Sequence, residues 1–277
     1  MYKFEITEAK ILHNVIFNNE NVFLVVEANN GKYYQIKLPT YFSNPVTKEF
    51  LANYIAQILN FPVPNVAFIK MSKNFLSELS IYYPEILEKV SNLNSIKEIT
   101  FFAIEWIKNT LEIDDEEMLK EIVKNIIFNQ EEFYSVYAFD MLLCNFDRHF
   151  KNFIVDNEKY EILFIDHERS FGSFDYSELE NHITYDGCIY SYPQISYLYE
   201  IIKTEEQFEY IINFAKQIDK LNLTKEVFEI FNRNSSNKFE FGNDDIKNRI
   251  LNYFKKRTNN ISNYMIKNKK VCFDAIS

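Results

Sequence analysis

Residues 144–171 read CNFDRHFKNFIVDNEKYEILFIDHERSF, and the rest of the chain is best understood outward from them. An apolar-periodic helix over Glu131–Leu143 leads into the stretch. Two strand-like runs follow, Phe153-Ile154-Val155 and Ile162-Leu163-Phe164-Ile165, so the pattern is helix, loop, strand, turn, strand. Asp147 and Asn152 lie five residues apart on the loop, and Asp166 ends the second strand, fourteen residues after Asn152. A strand-turn-strand of that length carries Asp166 back toward Asn152, turning separation in sequence into proximity in space.

Upstream, the chain opens with strand patterns: YKFEITEAKIL, VFLVVEA, the turn Asn29-Asn30-Gly31, then KYYQIKL. Thr47–Leu59 places Phe50, Leu51, Tyr54, Ile55 and Ile58 at helical spacing and stops before Phe61-Pro62-Val63-Pro64, which cannot continue a helix. NVAFIKM and ITFFAIEWI are further strands. Asp114 or Asp115, followed by Glu116 and Glu117, begins a helix, and EQFEYIINFAKQI, TKEVFEIFNR and DIKNRILNYFKKR continue in helical periodicity. ISYLYEIIK shows the same spacing. The expected fold is therefore α+β with two lobes: a small β-rich lobe with one crossing helix, residues 1–108, and a larger α-helical lobe, 109–277. A cleft between unequal lobes is a usual place for a ligand.

Composition narrows the class. The chain has 277 residues, 47% hydrophobic and 17% aromatic, enough for one sizeable core or two modest ones. It has no long apolar run for a membrane span, and Lys3, Glu5 and Glu8 interrupt any signal peptide. Cys144, Cys188 and Cys272 are odd in number and widely spaced, which fits a reducing, cytoplasmic compartment and neither a disulfide framework nor a zinc ribbon. A net charge of −10 argues against direct nucleic-acid binding. Ile246–Phe273 nevertheless carries Lys247, Arg249, Lys255, Lys256, Arg257, Lys267, Lys269 and Lys270 with no acidic residue. That is either a face for an acidic partner or a terminal amphipathic helix with a solvated basic side.

Asp147, Asn152 and Asp166 are the set that phosphoryl transfer needs. One carboxylate accepts or orients the hydroxyl of the attacking group; an amide oxygen and a second carboxylate hold magnesium against nucleotide phosphates. A zinc site built from His149 and His167 would prefer His or Cys at short spacing, which the sequence lacks.

The loop D-R-H-x-x-N followed by a strand ending I-D resembles the loops of HipA-like kinases and of phosphoinositide-3-kinase-like enzymes, two branches of the protein-kinase-like superfamily. Gly31-Lys32-Tyr33-Tyr34-Gln35-Ile36-Lys37, the helix KEFLANYIAQIL running into Asn60-Phe61-Pro62-Val63-Pro64, and Ile165-Asp166-His167 resemble the HipA-like group most. The resemblance spans residues 22–171. It implies ATP and Mg2+ as cofactors and transfer of the γ-phosphate to a hydroxyl on protein Ser, Thr or Tyr; autophosphorylation is a separate expectation, from the position of the hydroxyls that follow Asp166. By the same resemblance Lys37 meets the α- and β-phosphates, Glu49 pairs with Lys37, Asp147 is the catalytic base, Asn152 and Asp166 hold the metal, and Arg148 and His149 brace the loop. Phe102–Ile107 would be the hinge facing adenine, through Glu105 and Ile107.

One departure stands out. The loop Phe17-Asn18-Asn19-Glu20-Asn21 has no glycine or serine, although backbone amides approach a triphosphate most closely without a side chain. The loop also offers no serine for the regulatory phosphorylation known in HipA-like toxins. Ser170, Ser173, Tyr176 and Ser177 stand after Asp166 as candidate acceptors, or as turn caps. Two other readings stay open, a small-molecule or lipid kinase and a pseudokinase acting as a binding or scaffold module; the candidate partners are a protein substrate or the chain itself, and an antitoxin-like or acidic protein. The Asn-, Ile- and Lys-rich composition fits an AT-rich bacterial genome.

Overall fold

A computed structural model describes residues 5–18, 21–38, 44–84, 98–145, 147–167, 169–171, 201–234, 244–258 and 260–274. Five strands close into a barrel in the order β1-β2-β3-β5-β4. They are β1 (Glu5–Asn18), β2 (Asn21–Ala28), β3 (Tyr33–Leu38), β4 (Val66–Ser72) and β5 (Glu98–Glu105). Neighbours pair antiparallel except β1 with β4, whose parallel ladder from Glu5↔Ala67 to Glu8↔Lys70 closes the ring. The period of two sorts side chains between faces. Leu24, Val26, Tyr34, Ile36, Ile69, Met71 and Phe101 fill one apolar cluster inside the barrel. Alternating with them, Val66, Phe68 and Phe102 join a second cluster outside it. Strands β4 and β5 are thus covered on both faces, which is why NVAFIKM and ITFFAI lack clean polar alternation.

The β2–β3 connection is a tight turn. Gly31 has φ +78°, and Ala28 N–H donates to Lys32 O at 2.9 Å. That positive φ is the reason glycine stands there.

Helix α1 (Asn44–Ile58) begins three residues earlier than its apolar spacing predicts, with Pro45 in its opening turn. Proline suits that position because the first amides of a helix have no internal partner anyway. Residues 48–56 are buried on every side, so α1 is sandwiched between lobes and is no surface helix. Phe50 packs against Phe68 and Phe102, both ring centroids at 5.5 Å. On its other side, Tyr54 Oη donates to Glu226 Oε2 at 3.4 Å. Asn60, at φ 52°, ends α1, and Phe61 N–H returns to Ala56 O at 2.8 Å. Phe61 then enters the helical lobe, stacked on Phe139 at 4.3 Å and on Phe164 at 4.6 Å. Beside it, Phe164 N–H donates to Pro62 O at 2.9 Å.

A second helix of the β-rich lobe, α2 (Lys73–Tyr82), has no counterpart among the elements that the sequence pattern predicts. Ser72 caps it by accepting from Phe75 N–H at 3.1 Å.

The helical lobe holds a three-stranded sheet, β6 (Thr110–Glu112), β7 (Phe153–Asp156) and β8 (Glu161–Phe164), in the order β6-β7-β8. Around it stand α3 (Glu116–Asn125), α4 (Gln130–Leu143), α5 (Glu205–Lys220), α6 (Leu223–Asn234), α7 (Asp244–Arg257) and α8 (Ile261–Asp274). Asp115 caps α3 through Met118 N–H at 2.7 Å, choosing between the two candidate acids. Thr204 and Gln207 form a reciprocal capping box on α5. Most of ISYLYEIIK lies outside the described residues. No helix among the described residues is long and apolar enough to cross a membrane.

Candidate active site

Helix α4 delivers the chain to the site. Cys144 takes a left-handed conformation, φ 54°, and Asn145 N–H folds back to Asp140 O at 3.0 Å, ending the helix abruptly. Asn145 then acts as a clip. Its Nδ2 donates to Asp140 Oδ1 at 3.1 Å, while its Oδ1 accepts from Asp147 N–H at 3.3 Å.

Arg148 is fully buried and is the hub of the loop. Its Nε and Nη2 donate to the two oxygens of Asp140, both at 2.9 Å. Nη1 donates to Ile165 O at 3.0 Å and Asn152 O at 3.4 Å, and Nη2 donates to His167 Nδ1 at 3.0 Å. A bidentate pair of this kind is among the strongest and most directional of side-chain contacts. Because Nδ1 accepts, His167 is the neutral tautomer with its proton on Nε2. Burial first, and the Arg148 charge second, hold His167 well below the usual imidazole range.

Asn152 sits at the end of a short 3-10 turn, Phe150–Asn152, and is buried. Its Oδ1 accepts from His149 N–H at 3.0 Å and its own N–H donates to His149 O at 2.9 Å, so His149 contributes to the loop through its backbone. Strands β7 and β8 pair Phe153 with Phe164, so Asn152 O comes to accept from Ile165 N–H at 3.0 Å. Asp166 is therefore one residue beyond the partner of Asn152, exposed, with φ 58°. Asp147 stands half exposed across the loop, its Oδ2 3.9 Å from Arg169 Nε. The β7–β8 pairing thus brings the backbone of Asn152 beside that of Ile165, next to Asp166, and Arg148, the residue after Asp147, bonds both of those backbone oxygens.

That donor set fits a hard cation. Magnesium accepts oxygen ligands, keeps few of them from protein and completes its shell with phosphate and water. Among the described residues no group of three or more His, Cys, Asp or Glu forms a metal cage of its own. Asn152 and Asp166 suit a metal that arrives with its own phosphate oxygens.

The barrel contributes the remaining candidates. Lys37 lies on β3 opposite Phe23, its Nζ 5.8 Å from that ring, and parity puts it on the outer face with Tyr33 and Gln35. Glu49 is buried on α1, and its carbonyl accepts from Asn53 Nδ2 at 2.8 Å. Glu105 ends β5 with its amide on Asn65 O at 2.7 Å and its carboxylate on Asn65 Nδ2 at 2.7 Å and Lys32 Nζ at 3.1 Å. Trp106 N–H is taken by Tyr33 O at 2.8 Å, after which Ile107 leaves the strand half-buried. Residues 19–20 of the candidate phosphate loop and the candidate acceptors Ser173, Tyr176 and Ser177 lie outside the described residues. Ser170 is described and is fully buried, so this conformation does not offer it as an acceptor.

Asp140, Asn145, Tyr253 and Arg257 also shape the site, and motif and spacing alone do not single them out. For Asp140 a signal exists: it is a lone acid in the apolar run FYSVYAFDMLLC, eight residues before Arg148. A carboxylate there needs a cation brought to it.

The β-rich barrel, the helical lobe and the connection between them define a protein-kinase-like fold. A family model described as HipA-like kinase matches residues 10–221, and the chain belongs to that family. Among solved structures, the proinflammatory kinase CtkA of Helicobacter pylori matches with a TM-score of 0.56 at 15% identity, covering 92% of this chain and 95% of that one. At that identity the likeness shows a shared fold. A Golgi casein kinase solved with Mn/ADP gives a TM-score of 0.48 at 12% identity, over 98% of this chain and 74% of that one. A comparison with curated proteins gives no match.

Proposed function

We propose that this protein transfers the γ-phosphoryl group of ATP, with Mg2+, to a hydroxyl on a protein Ser, Thr or Tyr, its own chain included. The observation that supports the reading is the Arg148 hub, which follows Asp147 in the chain and bonds the backbone oxygens of Asn152 and of Ile165, the residue before Asp166. Residues 1–108 form the lobe that covers the nucleotide and 109–277 the lobe that carries the chemistry. In this assignment Asn152 Oδ1 and the Asp166 carboxylate hold the metal, whose charge offsets that of the phosphates. Lys37 contacts the α- and β-phosphates, and Glu49 keeps Lys37 in place. With the Glu105 amide and carboxylate engaged inside the protein, the backbone of Ile107 is the better contact for adenine. Asp147 orients the acceptor hydroxyl and takes its proton as the oxygen bonds to γ-phosphorus. The bond from that phosphorus to the bridging oxygen breaks, and ADP leaves with its electrons.

Intact mass after incubation with Mg-ATP tests this. A phosphate-sized increment in the wild type, absent in Asp166→Asn, is the expected result. Nucleotide binding without an increment points to a small-molecule or lipid acceptor. Failure to bind nucleotide points to a binding module, the reading that the glycine-free sequence at residues 17–21 favours.

A further inference from the structure

Helix α4 ends inside the protein, immediately before the loop that bears Asp147, and its last carbonyls lack the full set of helical partners, Met141 O being met locally by the Cys144 N–H at 3.4 Å. The chain supplies partners from far away. Met141 O accepts from Arg257 Nε at 3.0 Å and also from its Nη2, and Leu142 O accepts from Tyr253 Oη at 2.8 Å. Leu143 O accepts from Phe171 N–H at 2.6 Å. Arg257 and Tyr253 are both fully buried on α7, 116 and 111 residues from the carbonyls they meet. Neither lies within residues 10–221, which the family model matches.

The sequence pattern presents Arg257 as one of a basic face, and the structure separates it from that face. Lys247 pairs with Asp244 and Arg249 with Asp245 on the same helix, Lys255 and Lys256 are exposed, and Arg257 turns inward. A guanidinium at a helix C-terminus meets the negative end of the dipole, and a charged donor makes the stronger hydrogen bond. Helix α7 also holds the far end of the catalytic stretch. Phe171, at φ 64°, meets the Tyr253 ring edge-on at 6.1 Å and that of Phe254 at 5.7 Å.

We infer that Tyr253 and Arg257 are positioning residues for the transfer reaction: they fix the last turn of α4, and through it the placement of the loop. The connection is physical at each step. The last turn of α4 carries Asp140, Asp140 holds Arg148, and Arg148 holds the backbone beside both proposed metal ligands. The inference rests on the role given above to Asp147, Asn152 and Asp166.

Three variants of the full chain test it: Tyr253→Phe, which keeps the ring and removes one hydroxyl, Arg257→Met, and Arg257→Lys, which keeps the cation. Amide hydrogen exchange over residues 141–152 and ADP formation from Mg-ATP are the readouts. Removal of one neutral hydrogen bond corresponds to about fivefold faster exchange in that segment for Tyr253→Phe, with the barrel strands unchanged. The turnover number falls by a similar factor and the KM for Mg-ATP rises, because the loosened segment includes the backbone beside both proposed metal ligands; Arg257→Met is more severe, and Arg257→Lys recovers part of the activity. Unchanged exchange over 141–152 in Tyr253→Phe overturns the inference, as does a loss of protection spread equally over barrel and loop. So does an Arg257→Lys variant no better than Arg257→Met. If the wild type forms no ADP, the functional reading fails, and the exchange arm alone decides whether α7 fixes the loop.

Discussion

In the 140–171 stretch, Asp140 and His167 are buried and each is bonded to the buried Arg148, whereas the polar groups of the barrel named next bond at its rim. There Asn30 bonds Glu5 at 2.7 Å, Asn29 bonds Glu8 at 3.2 Å, and Lys32 bonds Glu105 at 3.1 Å, all exposed to solvent. The two regions place different demands on the same interactions. A buried ion pair that loses one member leaves a charge in a medium that cannot solvate it, while a rim pair contributes little and is weakened further by salt. The barrel is held by its ladders and apolar interior. The loop is held by the buried charge network of Asp140 and Arg148, while His167 Nε2 and Ser170 Oγ lie buried beside it without a hydrogen bond to any described residue.

Substitutions can sharpen that contrast or break it. The largest effect belongs to Asp147→Asn, which should lower phosphoryl transfer about 10²- to 10⁴-fold in a turnover assay. Its melting temperature should hardly move, since the half-exposed pair that Asp147 makes with Arg169 at 3.9 Å adds little to stability. Next is Asp140→Ala, which strands Arg148 and should cost about 3–5 kcal/mol in urea unfolding. Asp140→Asn, still able to accept a hydrogen bond, should cost less. If Asp140→Ala is as mild as Lys32→Ala at the rim, the contrast fails.

A smaller effect follows from His167 in metal-free protein. Its folded pKa lies well below the ordinary 6.5, held down by burial and then by Arg148. Below that ordinary value the unfolded chain binds a proton that the folded chain refuses. Stability is therefore retained above it and declines as pH falls, by up to about 1.4 kcal/mol per pH unit. Unfolding free energies across that range should show the slope, and His167→Gln should remove that contribution. The smallest effect is Gly31→Ala in the barrel turn. A Cβ there meets nothing within 4 Å, so the cost is backbone conformation alone at φ +78°, about 1 kcal/mol by thermal unfolding.

What the sequence reveals follows the range of the forces involved. The turn from α4 into the loop and the β7–β8 return are local, and their spacing is visible in DRHFKN and in the two short apolar runs. Helix α2 leaves no such trace, because it follows β4 without a break and buries only Leu76 and Leu79, too few to set a period. Strand β6 spans only Thr110–Glu112 and owes its pairing to β7, more than forty residues later. Arg257 looks like its basic neighbours in sequence because nothing local distinguishes it; only the end of α4 does. The burial of Glu49 likewise comes from α1 being covered on both sides, which a one-sided apolar stripe does not forecast.

The seating of Phe61 between Phe139 and Phe164 has a mechanical consequence. With Pro62 O bonded to Phe164 N–H and Tyr54 reaching Glu226, helix α1 is riveted to the lower half of the molecule. A helix so fixed cannot serve as a swinging lever. Because Phe50 ties the same helix to Phe68 and Phe102 of the barrel, any relative movement of the two lobes has to be taken up in the packing on one of its two faces.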